Sequence, residues 1–161
     1  MRAPFGADRT GTSMRIALCS YEFAGVRGGG IGTYVAEAGS ALTAAGHEVW
    51  LVTARPDDDE LAARLGRDQR FARVVFVEQA TTPRHQVRFA LARRALWFAQ
   101  LAHDVLQASG QRFDYVEFPD YGAAGAVAVP EQRLFGSYGD AVVAVVLHSP
   151  THECWRFNES L

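Results

Sequence analysis

A chain of 161 residues, 48% of them hydrophobic, is long enough for one α/β domain with its own core. A formal net charge of −2 gives no electrostatic pull toward nucleic acid, and no window approaches the roughly 18 apolar residues of a membrane span. All sixteen basic residues are arginine, which excludes lysine Schiff-base and Walker A chemistry, since both need that residue.

Residues 1–13 are polar and aperiodic, with no apolar h-region of a secretory signal, and are expected to be a disordered extension. The domain is expected to occupy residues 14–161. Ile16 to Tyr21 is a short apolar run that reads as a buried strand. A loop with consecutive glycines at 28–30 and another at Gly32 follows, and Ile31, Tyr34, Val35, Ala38 and Leu42 then take helical spacing. That helix is expected over 31–45, ending at Gly46. Residues 47–54 read as a second strand, residues up to Leu65 as a short helix behind an acidic turn with several possible N-caps, and residues 73–78 as a third strand near an edge. The longest helical pattern covers residues 83–109. Val87, Leu91, Ala95, Phe98, Leu101, Ala102 and Val105 form its core stripe, and Arg84, Arg88, Arg93 and Arg94 fall on the solvent side.

Residues 113–118 read as a fourth strand, followed by a turn in which Asp120 is placed to cap what comes next. Residues 122–129 have the small side chains of a close-packed helix, disturbed by Pro130. Residues 141–147, Ala-Val-Val-Ala-Val-Val-Leu, form a β-branched run typical of a central parallel strand covered on both faces. The alternation predicts an α/β fold: a Rossmann-like, doubly wound parallel sheet of five or more strands in three αβα layers, in the order 3-2-1-4-5. Ligands of such sheets bind beyond the carboxyl ends of the strands. Three polar or glycine-rich segments fall there: 21–32, 119–122 and 148–152.

The glycine loop between strand and helix can bring backbone N–H groups to an anion. It does not fit a dinucleotide fingerprint. Gly30-Ile-Gly-Thr-Tyr-Val35 lacks the third glycine, the loop is too long for the tight turn, and the second strand ends without a ribose-binding carboxylate. Arg55 there could hold a 2′-phosphate. Cys19 and Cys154 lack zinc-ligand spacing, and Cys19 is expected to be a core thiol. No metal site is expected. A reducing, cytoplasmic location fits.

Tyr21-Glu-Phe followed by Gly28-Gly-Gly-Ile-Gly-Thr-Tyr-Val35, Phe113-Asp-Tyr-Val-Glu-Phe-Pro-Asp-Tyr-Gly-Ala-Ala-Gly125 and Val146-Leu-His-Ser-Pro-Thr151 resemble three segments of one family. It is the retaining, nucleotide-sugar-dependent glycosyltransferases of GT-B fold, the glycogen-synthase-like group of glycosyltransferase family 4. The resemblance runs from Arg15 to about Asn158 and implies an N-terminal, acceptor-side domain, with a second domain carrying the E-x7-E pair absent from the chain. It implies a nucleotide-sugar donor and a hydroxyl acceptor as partners, and no cofactor beyond that co-substrate. Gly29, Gly30, Ile31 and Gly32 would meet the donor diphosphate. His148 would be the catalytic-site residue against the donor sugar, and Tyr21, Glu22, Asp120, Tyr121 and Ser149 would line the acceptor side. On this reading the chain alone does not turn over. The residues by themselves leave open a non-catalytic α/β binding module and a nicotinamide-dependent oxidoreductase fragment.

Overall fold

The computed structural model describes residues 13–23, 29–77 and 90–148, the side chains of 90–95 excepted. The expected extension at 1–13, all but Ser13, the side chains of Arg84, Arg88, Arg93 and Arg94, and Ser149 and Cys154 lie outside the described residues. Five parallel strands form one sheet: β1 (Arg15–Cys19), β2 (Glu48–Ala54), β3 (Arg73–Val77), β4 (Tyr115–Pro119) and β5 (Val142–Val146), in the order β3-β2-β1-β4-β5. Among the described residues, four α-helices connect them: α1 (Gly30–Ala44), α2 (Asp59–Leu65), α3 (Ala90–Ala108) and α4 (Ala128–Phe135). Both the order and the Rossmann-like class match the reading of the sequence.

Side-chain alternation along the strands makes two cores. Ile16 and Leu18 of β1 join Val49, Leu51, Ile31, Val35 and Leu65 under α1 and α2. Ala17 and Cys19 join Val52, Val116, Phe118, Phe98, Ala102 and Leu106 under α3 and α4. Cys19 is 1% exposed, the core thiol expected of it. The helices change face between β1 and β4, so the crevice between these strands is the switch point where open α/β sheets take ligands.

Local signals set most boundaries. The Asp58 carboxylate accepts the Leu61 N–H at 2.8 Å and caps α2. Gly46 turns left-handed just past α1. Two expectations need correction. The small-residue run at 122–129 is not a continuous helix. Gly122 and Ala123 have φ of 68° and 54°, which stops a 3₁₀ turn (Tyr121–Ala123), and α4 begins at Ala128. Pro130 then lies in the first turn of α4, where its missing N–H has no intrahelical partner to lose. The second correction concerns β5. It is not covered on both faces: among the described residues it pairs with β4 alone, and Val142 and Val145 are 58% and 42% exposed. A β-branched run specifies a strand, but not what lies over it.

Candidate functional site

β1 ends at Cys19, and the chain then folds tightly on itself. Ser20 Oγ donates to the Glu22 carbonyl at 2.8 Å, and the Glu22 N–H returns a bond to Ser20 Oγ at 3.2 Å. This small turn delivers Tyr21, Glu22 and Phe23 to the carboxyl edge of the sheet. Phe23 is buried and packs edge-on against Phe71, 5.6 Å between ring centres, which anchors the near end of the glycine loop.

At the far end of the loop, Gly29 is the N-cap of α1, with extended backbone and no side-chain cap. Gly30, Ile31 and Gly32 form the first turn, whose N–H groups have no acceptor within the helix. Gly29 and Gly30 are exposed, whereas Ile31 and Gly32 are buried. A Cβ on Gly29 would stand 2.5 Å from Glu22 Oε2, so the carboxylate of Glu22 lies directly against Gly29. A Cβ on Gly30 meets open space. The first turn of α1 is therefore open to a ligand at Gly30, and Glu22 borders it.

Tyr21 stacks on Tyr121 at 6.1 Å and 23°, and its edge meets Phe98. Burial, then the Glu22 charge and Tyr121, push the Tyr21 phenol well above its ordinary pKa, so it stays protonated. Gly122 lies beneath this stack. A Cβ there would be 3.3 Å from Tyr21 Cε1 on a backbone already at positive φ, so the turn needs glycine on both counts.

Asp120 does not cap a helix, contrary to expectation, because the following 3₁₀ turn receives no side-chain bond from it. Its Oδ1 instead accepts the His148 N–H at 2.9 Å, and its own N–H donates to the Val146 carbonyl at 3.0 Å. The ends of β4 and β5 are thereby riveted together with His148 held between them. Asp120 Oδ2 is buried and has no hydrogen-bond partner among the described residues. The imidazole of His148 meets the ring of Tyr34, from α1, edge-on at 4.5 Å.

The structure thus brings Tyr21, Glu22, Gly29, Gly30, Asp120, Tyr121 and His148 to one edge, while Ser149 lies outside the described residues. Tyr34 and Glu117 complete the group and were not singled out from the sequence. Tyr34 reads there as part of an apolar helix face. Glu117 carries a usable signal, a carboxylate in the middle of a buried strand. Among the described residues, no cluster of three or more His, Cys, Asp or Glu could hold a metal ion, and no helix is long and apolar enough to cross a membrane.

The family model of Glycosyltransferase Family 4 matches residues 28–161. Among solved structures, the chain is similar to the catalytic domain of starch synthase IV from Arabidopsis thaliana, determined bound to ADP and acarbose. The two are 19% identical with a TM-score of 0.66 over 86% of this chain. At that identity the likeness is one of fold. The chain spans 34% of that protein's length. No curated protein matches the chain in sequence.

Proposed function

The chain belongs to Glycosyltransferase Family 4, and from that premise we propose that it forms the N-terminal, acceptor-side Rossmann-like domain of a GT-B enzyme. That enzyme moves a sugar from a nucleotide donor to a hydroxyl acceptor with retention. The observation that carries the reading is the rivet at Asp120. A half-buried carboxylate spends one oxygen on the His148 backbone, while its other oxygen, itself buried, has no partner among the described residues, at the switch point of the sheet. Buried polar atoms are rarely left unpaired, and a sugar hydroxyl is a suitable donor for Oδ2.

In this arrangement the donor diphosphate lies at the first turn of α1. The N–H groups and the positive end of the helix dipole oppose the charge that grows as the bond from sugar to phosphate breaks. His148 faces the donor sugar. Tyr21, Glu22 and Tyr121 border the acceptor, and a second Rossmann-like domain closes the cleft. The chain alone binds donor weakly and does not turn over. Half a cleft leaves the diphosphate in water, where each hydrogen bond contributes only about 0.5–1.5 kcal/mol net.

The test is Gly30→Val in the whole transferase. Gly30 is helical and its Cβ direction is open, so the fold survives, but the new side chain fills the space the phosphate needs. Loss of one such donor group typically lowers kcat about 10²- to 10³-fold. A variant that melts and turns over normally refutes the phosphate site. Micromolar binding of a nucleotide sugar to the 161-residue chain would refute the half-cleft.

A further inference from the structure

The backbone of Gly29, with φ of −166° and ψ of 164°, is extended, a conformation that any residue adopts. Its own angles therefore do not call for glycine. The space beside it does. A Cβ there would stand 2.5 Å from Glu22 Oε2 and 3.4 Å from Glu22 Cδ, whereas a Cβ on Gly30 meets nothing within 4 Å. Gly29 is kept bare for one carboxylate.

The Ser20 turn aims that carboxylate by fixing the Glu22 backbone at both its carbonyl and its N–H. Glu22 is half-buried, and none of the ion pairs among the described residues involves it. A carboxylate without an ionic partner thus rests against the N-cap of a 15-residue helix. The positive end of the helix dipole attracts it there. A diphosphate at the first turn would compete for the same attraction.

We infer, on the donor-phosphate reading given above, that Glu22 is the resident anion of the donor site. Its carboxylate holds the entrance of α1 in the empty protein, opposes the incoming diphosphate, and is displaced toward the acceptor side when the donor binds. The same charge acts again after transfer. A nucleoside diphosphate freed from its sugar carries more negative charge than the nucleotide sugar, so Glu22 opposes product more than donor and hastens its release. Two unit charges about 4 Å apart change an affinity about fivefold in water, and more in a partly buried site.

The probe is inorganic pyrophosphate, titrated by calorimetry into the whole transferase without added divalent cation. Two variants take the carboxylate from Gly29 in different ways. Glu22→Gln keeps the shape and deletes the charge. Gly29→Ala keeps the charge and pushes it aside, at little cost because the clashing oxygen is the far end of a flexible side chain. Each should tighten pyrophosphate binding about 5- to 30-fold. The double variant should add nothing further, because both act on one contact. Gly30→Val should weaken binding in every background. If it does so while Glu22→Gln or Gly29→Ala leaves the Kd unchanged, the resident-anion role is overturned and the phosphate site stands. Gains that add in the double variant also overturn that role, since the two changes then act at separate places. If Gly30→Val has no effect, or if no form binds pyrophosphate, the phosphate site fails and the role of Glu22 fails with it.

Discussion

Gly39 offers a sharp test of the packing that supports the glycine loop. It lies buried in the middle of α1, and a Cβ built on it would stand 2.7 Å from Phe71 Cζ and closer still to Cε1. Carbon atoms rest at about 3.5–4.0 Å, so Gly39→Ala forces the Phe71 ring to move by about 1 Å. That ring has little room. It is 6% exposed, braced edge-on by Phe23, and part of the core under α1 and α2. Overpacking of this kind costs about 1–3 kcal/mol. Against it stands a gain of about 1 kcal/mol, because alanine is the better helix former. The balance is a net loss of about 1 kcal/mol, which lowers Tm by about 2–4 °C for a domain of this size. Phe71→Leu supplies the control. Leucine lacks the clashing ring atoms, so adding Gly39→Ala in that background should be neutral or should stabilise by up to about 1 kcal/mol. Urea melts of the four proteins give the coupling between the two positions directly. If Gly39→Ala alone raises Tm, the contact between α1 and Phe71 is not as described, and the account of how Phe23 is braced fails with it.

Two further outcomes are expected. The Asp68 carboxylate holds Arg70 through NH2 at 2.6 Å and Nε at 2.9 and 3.1 Å, and the Arg70 hydrogen bonds keep its pKa below the ordinary value. A depressed folded pKa contributes stability above the unfolded pKa of about 3.9 and loses it as pH falls through the folded value. Asp68→Asn should therefore lower stability by about 0.5–1 kcal/mol at pH 7, discounted because Arg70 is partly exposed, and the difference should vanish in acid. Coincident pH–stability curves for the two proteins would refute this. Burial, and secondarily the charge of Glu117, raise the Cys19 thiol far above its ordinary pKa. Iodoacetamide should modify Cys19 only as fast as the protein unfolds, and peptide mapping distinguishes it from Cys154. Modification at the rate of a free thiol would contradict the core placement.

The strands and their order were legible because each core strand is a short apolar run, and the right-handed crossover rule leaves few topologies. The convergence of three loops followed from that order. What stayed hidden depends on partners that local pattern does not name. Asp120 has the sequence position of an N-cap, yet the positive φ of Gly122 and Ala123 disrupts the helix start, and its carboxylate turns to His148. Tyr34 lies on an apolar stripe and reads as core until its ring contact with the His148 imidazole is seen. The alternation Tyr115, Glu117 does place both on one strand face, so their pairing could have been found. Exposure on β5 could not, since the valines of an edge strand and of a covered strand look alike in sequence.

The place of β1 has a consequence for synthesis on the ribosome. At its start, Met14 bonds His47, 33 residues later, and Arg15 bonds Asp114, 99 residues later. At about 5–20 residues per second, the partner on one flank emerges within about 2–7 s, and the partner on the other only after about 5–20 s. For that interval the hydrogen-bonding edge of Ile16, Ala17 and Leu18 that will meet β4 stands open on a half-made sheet. An unpaired apolar edge invites pairing with a neighbouring nascent chain. The middle strand of the sheet is the first to be made and among the last to be enclosed.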